Sequence, residues 1–271
     1  MQGDILSKND VTVVITSCGR HDLLERTLDS FFRYNSHPIR KVVVIEDGPA
    51  PNIEHLKRRY KHQPMVWADT GERVGQIRAI DMAYRLIDTE FFFHCEEDWE
   101  FYRPGFIENS MKILKAFPEI IQVWIRSFPD LDPYPRIQRL FQADGVPFYL
   151  VADGVDAARQ WVWYGFTFNP GLHRARDYQL IGSYSALDRL NEKLAVEVEQ
   201  ALGILYRGMG FHAGMIADND GAGYVKHIGE GRHVTEPVQH LYAPVTFRQH
   251  LKDLWPSFVR ALKWRLQRRK Q

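Results

Sequence analysis

The chain has 271 residues, 45% of them hydrophobic and 13% aromatic, and a formal net charge of +1. That composition supplies a substantial core, no apolar run approaches the ~18 residues of a membrane-spanning helix, and the opening MQGDILSKND is too polar for a secretory signal. Cys18 and Cys95 form neither a disulfide framework nor a metal-ligand spacing, so the expectation is a cytoplasmic globular protein with two buried thiols.

The first predicted strand is VTVVITS, Val11 to Ser17, β-branched and continuously apolar. Leu23, Leu24, Leu28, Phe31 and Phe32 then recur at helical spacing. KVVVIEDGP repeats the strand-to-loop pattern, NIEHLKRRY reads as a short helix, PMVWAD as a third strand and Val74 to Leu86 as a long helix. The fourth strand is Phe91 to Cys95. RPGFIENSMKILKAF predicts a helix opened by Pro104, and IIQVWIRS another strand. Phe128 to Pro147, with Pro129, Pro133, Pro135 and Pro147, predicts a loop or lid. PFYLVAD and QWVWYGFTF alternate as a hairpin would, a helix follows over Asn191 to Met209, and GFHAGMIADNDGAGYVKHIGEGRHV holds two short strands between Gly-rich turns. Strands apolar on both faces and separated by helices imply a parallel sheet covered on both sides, with ligands beyond the carboxyl ends of its strands.

At that edge the polar residues collect. Thr16, Ser17 and Arg20 follow the first strand, Glu46 and Asp47 the second, and Glu96, Glu97 and Asp98 the fourth. Adjacent carboxylates repel one another unless a cation or donors neutralise them, and hard oxygen ligands suit Mg2+ or Mn2+. A divalent ion that also takes substrate phosphates accounts for the triplet, and so does a solvated turn. In GERVGQIRAIDMAY, Arg78 stands at a helix start where it can meet a diphosphate or form a surface salt bridge.

TVVITSCGRHDLLERTLDSF, VVVIEDGP, GQIRAIDMAY and FFFHCEEDW, in that order and at these separations, resemble the nucleotide-binding half of the GT-A glycosyltransferases, especially the family-2-like inverting enzymes. The resemblance covers residues 11 to 117 well and extends more faintly to 233. It implies an α/β fold, a GT-A type Rossmann-like open sheet with helices on both faces, a mixed acceptor-side lobe and a C-terminal helix. It makes Asp98 the metal ligand, with Glu96 and Glu97 nearer the ribose or a metal-bound water, although the motif here is Glu-Glu-Asp rather than Asp-X-Asp. Thr16, Ser17 and Arg20 would line base and ribose, Gln76 and Arg78 would complete the nucleotide site, and Glu46 or Asp47 would accept a hydrogen bond from the base. A carboxylate can accept from the ring N–H of uracil, thymine or guanine, and cytosine has none, so the implied donors are UDP, dTDP or GDP sugars.

On the acceptor side, AVEVEQALGILYRGMGFHAGM loosely matches the family's acidic base at a helix start, which offers Glu199 or Glu197. His227 stands where many GT-A enzymes supply an additional metal ligand, with His233 nearby. Trp161, Trp163, Tyr164, Phe166 and Phe168 can stack on a sugar or pack the core. The implied partners are a nucleotide-sugar donor and a glycan or lipid-linked glycan acceptor. A sugar-phosphate nucleotidyltransferase would share the sheet but carry a Gly-rich, basic loop after the first strand, which TSCGRHD does not match. A non-catalytic nucleotide- or glycan-binding module would keep the pocket and lack the base.

The domain reading is one catalytic domain over residues 1–240, with its halves at 11–117 and 118–240, and a basic extension over 241–271. From Pro244 to Gln271 eight Lys or Arg stand against one acid, Asp253, leaving 27 basic and 33 acidic residues elsewhere. An acidic body with a basic tail does not suggest a nucleic-acid binder. Leu251, Trp255, Phe258, Leu262 and Leu266 make an apolar stripe flanked by Arg260 and Lys263, the pattern of a helix lying on an anionic membrane or packed on its own domain.

Overall fold

The computed structural model describes residues 10–50, 53–131, 136–156, 161–186 and 195–232. The first half alternates strand and helix: β1 (Val11–Ser17), α1 (His21–Tyr34), β2 (Lys41–Glu46), α2 (Glu54–Arg59), β3 (Met65–Asp69), α3 (Gln76–Tyr84), β4 (Phe91–Glu96). A short β5 (Trp99–Phe101), α4 (Phe106–Ala116) and β6 (Ile120–Trp124) follow. The second half holds β7 (Arg136–Ala143), β8 (Val146–Val151), β9 (Gly154–Asp156), β10 (Trp161–Trp163), β11 (Gly171–Arg174), α5 (Ala175–Ile181), α6 (Ala195–Gly208), β12 (His212–Ile216) and β13 (Val225–His227).

Nine strands form one sheet in the order β3-β2-β1-β4-β11-β6-β12-β8-β7. The first four are parallel. β11 runs antiparallel between β4 and β6, so β4 and β6 still end at the same edge. The period-2 alternation of the strands explains the two-sided cover. Val11, Val13 and Ile15 of β1 and Phe91 and Phe93 of β4 face a core shared with Leu24, Leu28 and Phe31 of α1 and Phe106 and Ile113 of α4. Val14 and Phe92, one residue out of phase, face the opposite core with Ile77 and Ile80 of α3 and Val198 and Leu202 of α6. Each of these large apolar side chains, fully buried, contributes about 1.5–3 kcal/mol of transfer free energy.

The fold is the open α/β sheet expected, and four local expectations change. The long helix after the third strand is shorter, because Gly75 adopts φ +87° and α3 begins only after it. The fourth strand runs one residue further, to Glu96. The loop or lid expected over Phe128 to Pro147 contains β7, which turns back into β8 through Asp144 and Gly145, both at positive φ. That Asp-Gly pair is a hairpin signal which the nearby prolines masked. The hairpin expected between PFYLVAD and QWVWYGFTF does not form: β8 pairs with β7 and β12, and β10 pairs with β9. Phe166 and Phe168 are core residues, while the side chains of Trp161 and Trp163, His233 and the whole 241–271 extension lie outside the described residues. Among the described residues no helix is long and apolar enough to cross a membrane.

Candidate active site

The carboxyl ends of β1, β2 and β4 converge, and a small antiparallel sheet completes the edge. β13 pairs with β5 in a register that sets His227 opposite Trp99, next door to Asp98. Thr27 of α1 fixes the acidic turn from below. Its hydroxyl donates to the Glu97 carbonyl at 2.5 Å and accepts from the Trp99 amide at 3.2 Å. This geometry makes the backbone of the acidic triplet part of the core rather than a solvated turn.

Glu97 and Asp98 are both buried, at 4% and 5% exposure, and need neutralisation. Arg20 supplies it, with Nε 2.9 Å from Glu97 and a terminal nitrogen 2.8 Å from Asp98 Oδ2. Glu97 also accepts the Cys18 amide at 3.0 Å. His227 Nε2 lies 3.2 Å from the same Asp98 Oδ2. Burial pushes the Asp98 carboxyl up, but the hydrogen bond from His227 and the charge of Arg20 outweigh it, so Asp98 is held below the usual carboxylate range. Glu97 goes the other way: burial raises it more than Arg20 lowers it. Glu96 is pushed up to about 8 by burial and by the charges of Asp98, Glu97 and Glu199. Its two oxygens accept from Gln76 at 2.7 Å and from the Trp99 indole at 3.4 Å.

Glu46 is buried, takes the Gly19 amide on one oxygen, and has His21 3.4 Å from the other. Asp47 accepts the amides of Val74 at 2.8 Å and Gly75 at 3.1 Å, which ties the β2 end to the start of α3. Thr16 and Ser17 are buried at the end of β1, and the Ser17 hydroxyl has no partner. Arg78 is exposed on the first turn of α3 and pairs with no acid among the described residues. Glu199 lies on α6, where its Oε1 accepts from the Thr167 hydroxyl at 2.8 Å and the Phe168 amide at 2.6 Å. Burial raises its pKa against those two donors. Glu197 is on the same helix, but its side chain is outside the described residues.

The fold therefore joins Arg20, Gln76, Glu96, Glu97, Asp98 and His227 in one network, with Glu199 close enough for its charge to reach Glu96. Trp99, Thr27 and Thr167 belong to that network and were not singled out in the sequence. For Trp99 the signal was its position directly after the acids; for Thr27 and Thr167 there was none.

Among the described residues no group of three or more His, Cys, Asp or Glu side chains forms a ready-made metal cage. What is present fits a cation completed by its substrate. Asp98 Oδ1 is buried and has no hydrogen-bond partner, its carboxyl is held ionised, and an imidazole nitrogen stands beside it. A hard divalent ion bound through one or two protein ligands plus substrate phosphates needs only such a pair.

The GT-A fold is shared with solved glycosyltransferases. A mannosyltransferase from Pyrobaculum calidifontis, PcManGT, solved with GDP-Man and Mn2+, aligns with a TM-score of 0.54 at 17% identity over 77% of this chain and 55% of its own. GalNAc-T7, solved with UDP, GalNAc and Mn2+, aligns with a TM-score of 0.61 at 11% identity over 92% of this chain and 49% of its own. Residues 1–349 of S. aureus TarS align with a TM-score of 0.53 at 12% identity over 94% of this chain and 72% of that one. The chain thus spans about half the length of the first two. Among curated protein sequences none is significantly similar to it. The model of glycosyl transferase family 2 matches residues 12–178, more than half of the sequence and the part that supplies Arg20, Glu46 and the acidic triplet, and the chain belongs to that family.

Proposed function

We propose that this chain is a metal-assisted, inverting glycosyltransferase that moves a sugar from a UDP, dTDP or GDP donor to an acceptor hydroxyl in glycan or polysaccharide assembly. One observation carries the reading. An ionised, buried Asp98 with an unbonded oxygen shares the sheet edge with a second carboxylate, Glu199, whose pKa is raised toward that of a working base. The Mn2+ and nucleotide ligands of the similar solved enzymes support it.

In this reading Asp98 and His227 hold Mn2+ or Mg2+. Bound there, the ion offsets the charge that builds on the departing nucleoside diphosphate. Glu46 or Asp47 accepts from the base, Thr16, Ser17 and Arg20 line base and ribose, Gln76, Glu96 and Glu97 complete the nucleotide pocket, and Arg78 supplies positive charge for the diphosphate. Glu199 takes the proton from the acceptor hydroxyl, with Glu197 as the alternative, and the two donors from Thr167 and Phe168 fix its orientation. The catalytic unit spans residues 1–240 in this reading. The basic 241–271 segment gives a cytoplasmic enzyme peripheral contact with an anionic membrane, where a lipid-linked glycan acceptor would be met.

The decisive test is nucleotide binding with and without the metal. UDP, dTDP and GDP are titrated onto the full chain in Mn2+ and in EDTA, and Asp98→Ala should lose the Mn2+-dependent part of the affinity while keeping the wild-type fold. Equal affinity in Mn2+ and EDTA for the wild type would remove the metal from the proposal. For the tail, co-sedimentation with anionic vesicles at low salt is expected, and a full-length protein that stays in the supernatant refutes membrane contact.

A further inference from the structure

Arg126 stands just beyond the carboxyl end of β6, at the same sheet edge as the acidic triplet but two strands away from β4. Two inter-strand spacings put it about 10 Å toward the acceptor side. The backbone that presents it is rigidly seated. Arg126 bridges to Val225, the Tyr224 amide donates to the Ile125 carbonyl at 2.8 Å, and the Phe128 amide donates to the Gly221 carbonyl at 2.8 Å. Gly223 and Gly221 let the two segments touch. A Cβ at Gly223 would lie 2.3 Å from the Ser127 nitrogen, and one at Gly221 would lie 2.2 Å from the Phe128 ring.

The guanidinium lies over the Trp99 ring, 5.2 Å from its centroid. The same ring is 5.0 Å from the His227 ring and donates its indole N–H to Glu96. Arg126 is therefore separated from the proposed metal ligand by one aromatic side chain. Its partner among the described residues is a neutral one, the Asp130 carbonyl at 3.2 Å, and its Nε is buried with no hydrogen-bond partner. Arg20 and Arg103, two further arginines of this edge, are both paired with carboxylates. A stacked guanidinium on a fixed backbone, held by one carbonyl, is preorganised for a planar or tetrahedral oxyanion.

We propose that Arg126 forms an oxyanion subsite on the acceptor side of the cleft, taking a phosphate or carboxylate carried by the acceptor close to its reacting hydroxyl. This rests on the glycosyl-transfer reading for the word acceptor, and on Arg126 alone for the anion. The position beyond Trp99, away from the ends of β1 and β2, assigns the anion to the acceptor rather than to the donor's diphosphate.

The probe is inorganic phosphate, titrated calorimetrically onto the full chain with its nucleotide site filled by UDP, dTDP or GDP and Mg2+. Wild type is expected to bind it saturably. Arg126→Gln should weaken that binding by about 10- to 100-fold, Arg126→Lys less, and both should keep the wild-type nucleotide affinity and melting temperature. Equal phosphate affinity in wild type and Arg126→Gln overturns the subsite. A tenfold loss of nucleotide affinity in Arg126→Gln overturns the assignment to the acceptor, because it puts Arg126 on the diphosphate. If the chain binds no nucleoside diphosphate at all, the glycosyl-transfer reading fails, and the same phosphate titration without nucleotide still decides whether Arg126 holds an oxyanion.

Discussion

Arg20 and Asp98, 78 positions apart in sequence, form a 2.8 Å ion pair in which the arginine side chain is 16% and the aspartate 6% exposed. The same guanidinium holds Glu97 and donates to the Arg232 carbonyl at 3.1 Å, so one cation ties the acidic turn to the segment after His227. Arg20 thus occupies the electrostatic position that a divalent ion on Asp98 would share. Among the described residues, removing it leaves Glu97 with only the Cys18 amide and Asp98 with only His227, and breaking a buried ion pair in this way costs roughly 3–5 kcal/mol. Arg20→Ala should lower the melting temperature in EDTA, regain part of the loss on adding Mn2+, and bind Mn2+ more tightly than wild type in the absence of nucleotide. An unchanged melting temperature together with unchanged Mn2+ affinity would show that Arg20 neither stabilises the acids nor competes with the ion.

The segment after His227 is seated on Asp98 through backbone as well. The Ile228 amide donates to the Asp98 carbonyl at 2.8 Å, and Gly229 packs so closely that a Cβ there would lie 2.3 Å from Asp98 Oδ2. That oxygen is held by both Arg20 and His227 and has no freedom to retreat. Gly229→Ala should therefore push residues 228–232 outward and weaken Mn2+-dependent nucleotide binding by about tenfold or more, while Gly231→Ala, which meets nothing within 4 Å, tests the backbone strain of its positive φ alone. Wild-type metal dependence in Gly229→Ala would mean that this contact does not position Asp98.

The sheet edge was legible because β1, β2 and β4 are apolar on both faces and stop abruptly in polar residues, a pattern that only a covered parallel sheet explains. The neutralisation of the acids was not. Nothing local in TSCGRHD says that Arg20 reaches Asp98, since that contact depends on the β1–β4 register. Asp47, a candidate for the base of a nucleotide, also accepts the amides of Val74 and Gly75, a backbone demand that side-chain chemistry does not reveal. β7 was hidden because prolines around it suggested a loop, although the alternation of RIQRLFQA and the Asp-Gly turn after it are strand signals.

His94 and His173 sit on the buried face of β4 and β11, with the His173 ring stacked on Phe92 at 5.0 Å. Burial holds both rings neutral down to about pH 3, and the charge of Arg174 adds to this at His173. Unfolded imidazoles titrate near ~6.5, so as pH falls below that value the unfolded chain takes up protons that the folded chain refuses. The stability from these two groups is complete above about pH 6.5 and is lost progressively as pH falls. The melting temperature should decline between pH 6.5 and 5, before carboxylate titration dominates, and His173→Phe, which keeps the stacking, should make that slope shallower. An identical slope in the variant would exclude His173 as a contributor.

Glu199 is the acid whose environment best fits proton abstraction from an acceptor. Burial raises its pKa, yet the Phe168 amide and the Thr167 hydroxyl both favour its ionised form and fix one of its oxygens. A base works only when ionised, so turnover should fall as pH drops through a pKa above the ordinary glutamate value of ~4.3. Glu199→Gln preserves the size of the side chain and an oxygen that can still accept from Thr167 and Phe168. It should leave nucleotide affinity nearly unchanged, lower turnover by a factor on the order of 10² to 10⁴, and remove that acidic limb from the pH profile. Thr167→Val, which deletes one donor to the ionised form, should move the limb to higher pH with a smaller loss of rate. If Glu199→Gln keeps both the rate and the limb, the proton goes elsewhere, and Glu197 on the same helix is the next carboxylate to test.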